Sequence, residues 1–362
     1  MGLARRITAP GRVNLIGDHT DYNLGLALPV AIDLGTTVEF TPTDSSRVNL
    51  YSTLYPVGIN LPVDLPLDPV VLGQLEPPWS RLVAAMIGLV HPETGGIGRI
   101  ETTLPIGAGL SSSAAFMVAL AGALGASGTP RGIARLVQQA ETFSGVPVGI
   151  MDPLVCAGGR AGHGLLIDFA TLDTEDVPIP ADVELVVADS GVRRSLRATP
   201  YASRVAECEA AAVITGPLGQ ADEADVAGIR DPDLRRRARH VVSECDRVRR
   251  VAAALADDDL PTVGALLVES HRSLATDFEV STPELDALVA RLCSIDGVYG
   301  ARLTGAGFGG CVVALTRPGA VDLDGLGTRA WRLVPSDGTC AREEATVSGA
   351  PDGNPEAVGV GG

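Results

Sequence analysis

Pro105-Ile106-Gly107-Ala108-Gly109-Leu110-Ser111-Ser112-Ser113-Ala114-Ala115 follows an alternating run, RIETTL at 99–104, and precedes an Ala-, Leu- and Met-rich stretch. Alternation of apolar and polar residues reads as a strand, and the long apolar pattern after the serines reads as a helix. The segment is therefore a glycine-rich turn that opens a helix. Glycines let a backbone approach a phosphate closely. Serines there can cap the helix or donate hydroxyls, and the free N–H groups at the positive end of the helix dipole favour an anion. An ordinary turn with a serine cap is the alternative, but three consecutive serines exceed what a cap requires.

Outward from this turn, the 362-residue chain is 46% hydrophobic, enough for more than one core, so two domains are expected. It carries 28 basic and 44 acidic residues, a formal net charge of −16. That balance disfavours a broad nucleic-acid or anionic-membrane surface. The longest nearly apolar stretch, 114–126, is shorter than the ~20 residues that span a bilayer. The first residues, MGLARRITAPGRVN, lack the apolar centre of a signal peptide. A cytoplasmic protein with no nucleic-acid or membrane partner is expected, as a monomer or weak oligomer. Every basic residue is arginine. Without lysine, the usual P-loop NTPases, protein kinases and pyridoxal-phosphate enzymes are excluded. The six cysteines form no CxxC pair and are expected as reduced core residues; the five histidines show no HExxH.

Strands are expected at 12–16, 27–32, 36–41, 99–104, 164–168, 184–189, 299–304 and 312–315. Helices are expected after the serines and at 131–143, 201–214, 234–256, 260–274 and 283–292. In 234–256 arginines alternate with acids, as on a solvated helical face. Residues 171–180, acidic with two prolines, read as a linker, and the aperiodic 347–362 as a disordered tail. The reading is an α+β fold in two lobes, 1–175 and 181–346.

Three further segments carry polar or glycine-rich clusters. Gly11-Arg12-Val13-Asn14-Leu15-Ile16-Gly17-Asp18-His19-Thr20-Asp21-Tyr22-Asn23 ends a strand in carboxylates and a histidine. Ionised carboxylates accept from several hydroxyls, which suits a polyol, though Asp, Asn, Gly and Thr also form plain turns. In Gly145-Val146-Pro147-Val148-Gly149-Ile150-Met151-Asp152-Pro153 a lone aspartate sits among apolar residues and needs a partner; capping a helix that starts at Pro153 is the alternative. Leu303-Thr304-Gly305-Ala306-Gly307-Phe308-Gly309-Gly310-Cys311 fits GxGxxG, but CVVAL follows where a dinucleotide site needs a helix. It reads as a tight loop between antiparallel strands.

Taken together and in this order, GRVNLIGDHTDYN, GAGLSSSAA, VGIMD and LTGAGFGGC resemble the motifs of the GHMP small-molecule kinases and, within them, the galactokinase family; Tyr201 with Glu207-Cys208-Glu209 resembles that family's tyrosine-bearing helix start. The resemblance spans residues 8–315. It implies a ribosomal-protein-S5-like N-terminal lobe and a ferredoxin-like C-terminal lobe with the site between them. It implies ATP and Mg²⁺ as cofactors and transfer of the γ-phosphoryl group to the 1-hydroxyl of α-D-galactose. Carried over, Asp152 is the base and Arg12 its partner. Asp18, His19, Asp21, Gly149 and Tyr201 hold the sugar. Gly107, Ala108, Gly109, Leu110, Ser111, Ser112 and Ser113 cradle the triphosphate, with Ser113 and Glu141 on the metal. The chain departs from the family pattern at Asp18, where a longer Glu usually reaches the sugar 6-hydroxyl, and at Pro153, usually Gln. A kinase for a related sugar or cyclitol is the alternative, and a non-catalytic sugar and ATP sensor a more distant one.

Overall fold

The structure, a computed structural model, describes residues 3–53, 55–105, 107–145, 149–192 and 200–344, with the backbone alone at 200 and 340–344. The expected tail, Ile106 of the glycine turn and residues 146–148 lie outside the described residues.

Among those residues the larger sheet holds eight strands: β1 Ala4–Ile16, β2 Leu26–Pro42, β3 Arg47–Ser52, β4 Tyr55–Pro62, β5 Gly96–Thr102, β6 His163–Asp168, β7 Asp173–Pro178 and, from the far end of the chain, β12 Cys340–Glu344. Its path runs β12-β1-β2-β5-β3-β4, with the β6–β7 hairpin joined to β2. The smaller sheet is β8 Glu184–Asp189, β9 Val298–Thr304, β10 Cys311–Thr316 and β11 Ala330–Leu333, in the all-antiparallel order β11-β8-β10-β9. The helices are α1 Pro69–Gly73, α2 Ser80–Val90, α3 Ser112–Ala123, α4 Pro130–Phe143, α5 Met151–Gly158, α6 Pro200–Thr215, α7 Glu223–Gly228, α8 Pro232–Ala256, α9 Leu260–Thr276 and α10 Pro283–Cys293. This is the α+β arrangement expected.

The long helices start where the sequence writes a polar cap followed by proline. Thr129, Asp231, Asp259 and Thr282 each accept a bond from a first-turn N–H of α4, α8, α9 and α10. The smaller sheet is apolar on both faces. Leu185, Val187, Val313 and Leu315 join the core shared with the larger sheet, while Val186, Ala188, Val312 and Ala314 pack with buried residues of α6, α8 and α10. That double burial explains the unbroken apolar runs of β8 and β10. At β5 the larger sheet buries only one face, so this strand alternates, with Ile97 and Arg99 exposed between buried Gly96, Gly98 and Ile100.

Four expectations need correction. Strands 27–32 and 36–41 are one strand, β2, because Gly35 is a point of close contact and not a turn: a Cβ there would lie 2.6 Å from the Ala9 carbonyl oxygen. The supposed linker contains β7, paired residue for residue with β6 and acidic because its side chains mostly face solvent. The C-terminal lobe does not extend to 346, because β12 returns to pair with β1, Ala4 opposite Glu344. Finally, α8 is not a plain solvated face: Arg237, His240, Glu244 and Arg247 are buried. Cys156, Cys208, Cys245 and Cys311 are free and buried as expected, whereas Cys293 is exposed.

Candidate active site

Arg12 leaves the middle of β1 and is almost fully buried. Its Nε and Nη2 donate to the two oxygens of Asp152 at 2.7 and 2.8 Å, and its Nη1 donates to the Gly109 carbonyl at 2.7 Å. Such a two-pronged bond fixes a carboxylate in direction as well as place. The Arg12 backbone N–H also donates to Leu110 O at 3.2 Å. One arginine thus joins the glycine turn to an aspartate 140 residues beyond the arginine itself. Asp152 sits in the first turn of α5, behind the N-cap Ile150, so it is not the cap of that helix. Its side chain keeps 30% of its surface open.

Gly107 and Gly109 adopt left-handed φ of 77° and 74°, and the side chains of Ala108 and Leu110 between and after them are buried anchors. The turn is therefore held from inside while Gly107 and Gly109 are exposed. Cys311 Sγ contacts Ala108 O at 3.1 Å from the other sheet. Ser111 is the N-cap of α3, but its side chain does not cap the helix, contrary to the simple reading of the serines. Its hydroxyl donates to Asp152 Oδ2. Ser113 Oγ donates to Glu141 Oε1 at 3.0 Å. Glu141, on α4, is 2% exposed, and its Oε2 has no hydrogen-bond partner among the described residues. Burial pushes its carboxyl up to about 7; the Ser113 bond pulls the other way and the charge of Asp152 adds to the rise.

The loop after β1 supplies the polar wall. Asp21 lies against Gly149, where a Cβ would come within 2.5 Å of Asp21 Oδ2. Burial, then the charges of Asp152 and Asp18, raise Asp21 to about 6 against a bond from the Tyr22 backbone. His19 bonds Tyr22 OH at 3.0 Å through Nδ1, and its ring lies 5.8 Å from that of Tyr201 on α6. Burial and the Asp21 charge push the Tyr201 phenol upward.

Asp18 is held by protein groups on both carboxylate oxygens. It is buried; Oδ1 accepts from Asn14 Nδ2 at 3.0 Å and Gly305 N at 3.1 Å, and Oδ2 accepts from Arg302. Arg302, on β9, is fully buried and also lies 3.8 Å from Glu244 of α8. Glu244 in turn accepts from Arg247 at 2.8 Å, Ser270 at 2.6 Å and Gly17 N at 3.1 Å. Burial alone would raise Glu244, but Arg247 and Arg302 hold it at about 2. A fully buried arginine needs a counter-charge, and Asp18 supplies one.

Two groups were not marked in the sequence. One is this charge cluster. The other is a cavity of 140 Å³ beside Ser112 and Ser113, walled by Trp79, Tyr55 and Phe116. Tyr55 and Trp79 stack at 5.4 Å, with Phe116 edge-on to Trp79. The signal available was one tryptophan after two prolines, in a stretch without clear periodicity. The third glycine motif is the β9–β10 turn expected, with Cys311 opposite Thr304. Thr304 Oγ1 donates to Asn14 O at 2.9 Å, so this turn closes over the first motif.

Comparison with known proteins adds to this geometry. Residues 4–42 match the family model "Galactokinase galactose-binding signature", 81–160 "GHMP kinases N terminal domain" and 251–323 "GHMP kinases C terminal". The chain is 41% identical to the galactokinase of Homo sapiens over 330 residues, 87% of this chain and 84% of the human one. It is 41% identical to that of Mycobacterium tuberculosis over 324 residues, covering 85% and 87% of the two chains. A Lactococcus lactis galactokinase solved with galactose superposes with a TM-score of 0.83 at 30% identity, covering 94% of this chain and 95% of that one. Methanococcus jannaschii mevalonate kinase, at 21% identity and a TM-score of 0.66 over 92% of this chain and 98% of its own, shares the fold.

Proposed function

The chain belongs to the galactokinase family, and from that premise we propose how its residues transfer the γ-phosphoryl group of ATP to the 1-hydroxyl of α-D-galactose, giving galactose 1-phosphate. Asp152 accepts the proton of the 1-hydroxyl as that oxygen attacks phosphorus in line. Arg12 holds the carboxylate and offsets charge on the transferring group. Phosphoryl transfer needs mainly positioning and charge neutralisation, which these two groups and the glycine turn supply. The triphosphate lies along Gly107, Ala108, Gly109 and Leu110, with Ser112 and Ser113 at the helix start. Its base fills the cavity against Trp79, where a flat aromatic wall suits a purine.

Mg²⁺ fits Ser113 and Glu141. The support is the unpartnered buried oxygen of Glu141, since Mg²⁺ takes one or two protein oxygens and completes its shell with phosphates and water. When bound it neutralises charge on the phosphate oxygens. His19, Asp21, Gly149 and Tyr201 line the sugar, with Asp18 behind them as support. The 30% identity to a galactokinase solved with galactose favours galactose over a related sugar. The proposed setting is cytoplasmic, as a monomer or weak oligomer; no helix among the described residues is long and apolar enough to cross a membrane.

The observation that carries this reading is the Arg12 side chain, which holds Asp152 with two nitrogens and the glycine turn with the third. The test is ADP release from purified protein with ATP, Mg²⁺ and a panel of sugars. Galactose should be preferred, and Asp152→Asn should lower kcat by roughly 10²–10⁴-fold, the usual effect of removing a positioned base. A variant with near-native kcat removes Asp152 from the mechanism.

A further inference from the structure

Ser111 stands at a position whose usual work it does not do. An N-cap serine normally has extended φ and ψ and accepts from the second or third N–H of its helix. Ser111 instead has φ 61° and ψ 42°, the left-handed region, and makes no capping bond. A non-glycine residue there is strained and persists where its surroundings hold it. Its side chain is turned away from α3 to Asp152, 41 residues further along the chain.

The bonds at Asp152 can be counted by oxygen. Oδ2 accepts from Arg12 Nη2 and from Ser111 Oγ; Oδ1 accepts from Arg12 Nε. Each carboxylate oxygen offers about two lone-pair directions. Among the described residues, Oδ2 is therefore full and Oδ1 has one direction left. We propose that Ser111 is a positioning residue: its hydroxyl fills Oδ2, leaves Oδ1 as the atom that takes the proton, and ties the aim of that oxygen to the phosphate-binding turn. This rests on the reading of Asp152 as the base. Ser111 keeps its own proton throughout; the proton of the sugar 1-hydroxyl moves to Oδ1 while the sugar oxygen bonds to phosphorus and ADP leaves. Two bonds then link turn and base, Arg12 to Gly109 O and Ser111 to Asp152, so nucleotide settling in the turn also steadies the carboxylate.

The backbone conformation supplies a test that separates the hydroxyl from the fold. Ser111→Gly and Ser111→Ala both remove the hydroxyl, but glycine adopts the left-handed conformation freely and alanine does not. Both variants should lose about tenfold or more in kcat, with KM for ATP within about threefold of native, as misaimed groups act on the chemical step. In an Asp152→Asn background, Ser111→Gly should change the residual kcat by less than about threefold, because the group it positions is gone. Equal losses in both backgrounds, a loss confined to KM for ATP, or a loss in the alanine variant that glycine restores would each overturn the inference. Near-native kcat in Asp152→Asn alone overturns the base reading itself and the inference with it, so the two failures are told apart.

Discussion

Asp18→Asn changes one charge and almost no volume. The cluster around it is balanced: Arg302 and Arg247 against Asp18 and Glu244. His240 is neutral at pH 7, since burial has lowered it to about 4. The asparagine leaves one uncompensated positive charge beside a guanidinium that is 0% exposed. Breaking a buried pair by removing one partner costs roughly 3–5 kcal/mol. Glu244 stays 3.8 Å from Arg302, and the new amide oxygen can still accept, so the lower end, about 3 kcal/mol, is expected. At roughly 2 cal/mol/K of unfolding entropy per residue, a 362-residue chain loses a little over 1 °C per kcal/mol, so Tm should fall by about 4 °C. Turnover should report something different. If the carboxylate serves Arg302 and not the substrate, the ratio of kcat/KM for galactose over 6-deoxygalactose should stay within about threefold of native. A second change, Arg302→Met on top of Asp18→Asn, should recover part of the lost stability, because an apolar side chain tolerates the site without a counter-charge. Thermal unfolding and the two-substrate ratio, measured on the same preparations, decide the matter. An unchanged Tm together with a ratio that collapses towards one would refute the reasoning and return Asp18 to the 6-hydroxyl.

Other perturbations read different parts of the molecule. His240 is uncharged in the fold at about 4 but titrates near 6.5 when unfolded, so its contribution is intact above 6.5 and is lost as pH falls towards 4, up to roughly 3 kcal/mol. Denaturant titrations from pH 7 to 4 should show a shallower loss in His240→Gln than in the native chain; Asp21 and Glu141, both raised, bias the slope the opposite way in both proteins, and parallel slopes would argue against the histidine. Gly149→Ala places a methyl 2.5 Å from Asp21 Oδ2 and should raise KM for galactose by about tenfold, with KM for ATP little changed in steady-state assays. Trp79→Ala opens the aromatic cavity and should do the reverse, weakening ATP by about tenfold, or roughly 1.4 kcal/mol, while direct titration with galactose stays near native.

Much of this could be read from residue order because the signals are local. β8 appears with the bounds expected, since an apolar run between polar ends has few alternatives, and α10 begins at its Thr-Pro pair. Arg12, Ser111, Ser113, Glu141 and Asp152 do come together, although the Ser111 hydroxyl went to Asp152 and not to the helix. What could not be read is which partner a charge finds across the fold. Asp18 meets Arg302 284 positions later, and neither local sequence mentions the other. Arg237, Glu244 and Arg247 alternate as surface residues do, yet lie inside because α6, α9 and β9 supply partners to Arg237 and Glu244, and Glu244 in turn pairs with Arg247. β12 is a short charged strand whose only argument for being one is the open edge of β1.

That edge has a history during synthesis. β1 emerges from the ribosome first among the strands, and its partner β12 is the last described strand to follow. At 5–20 residues per second the interval is on the order of tens of seconds, during which one side of β1 offers unpaired N–H and C=O groups to any passing strand. Arg5 and Arg6 stand in the stretch later covered by Glu343 and Arg342, and adjacent positive charges discourage stray pairing between nascent chains. The sheet translated first is thus the one finished last, after the four-stranded sheet encoded behind it has already been made.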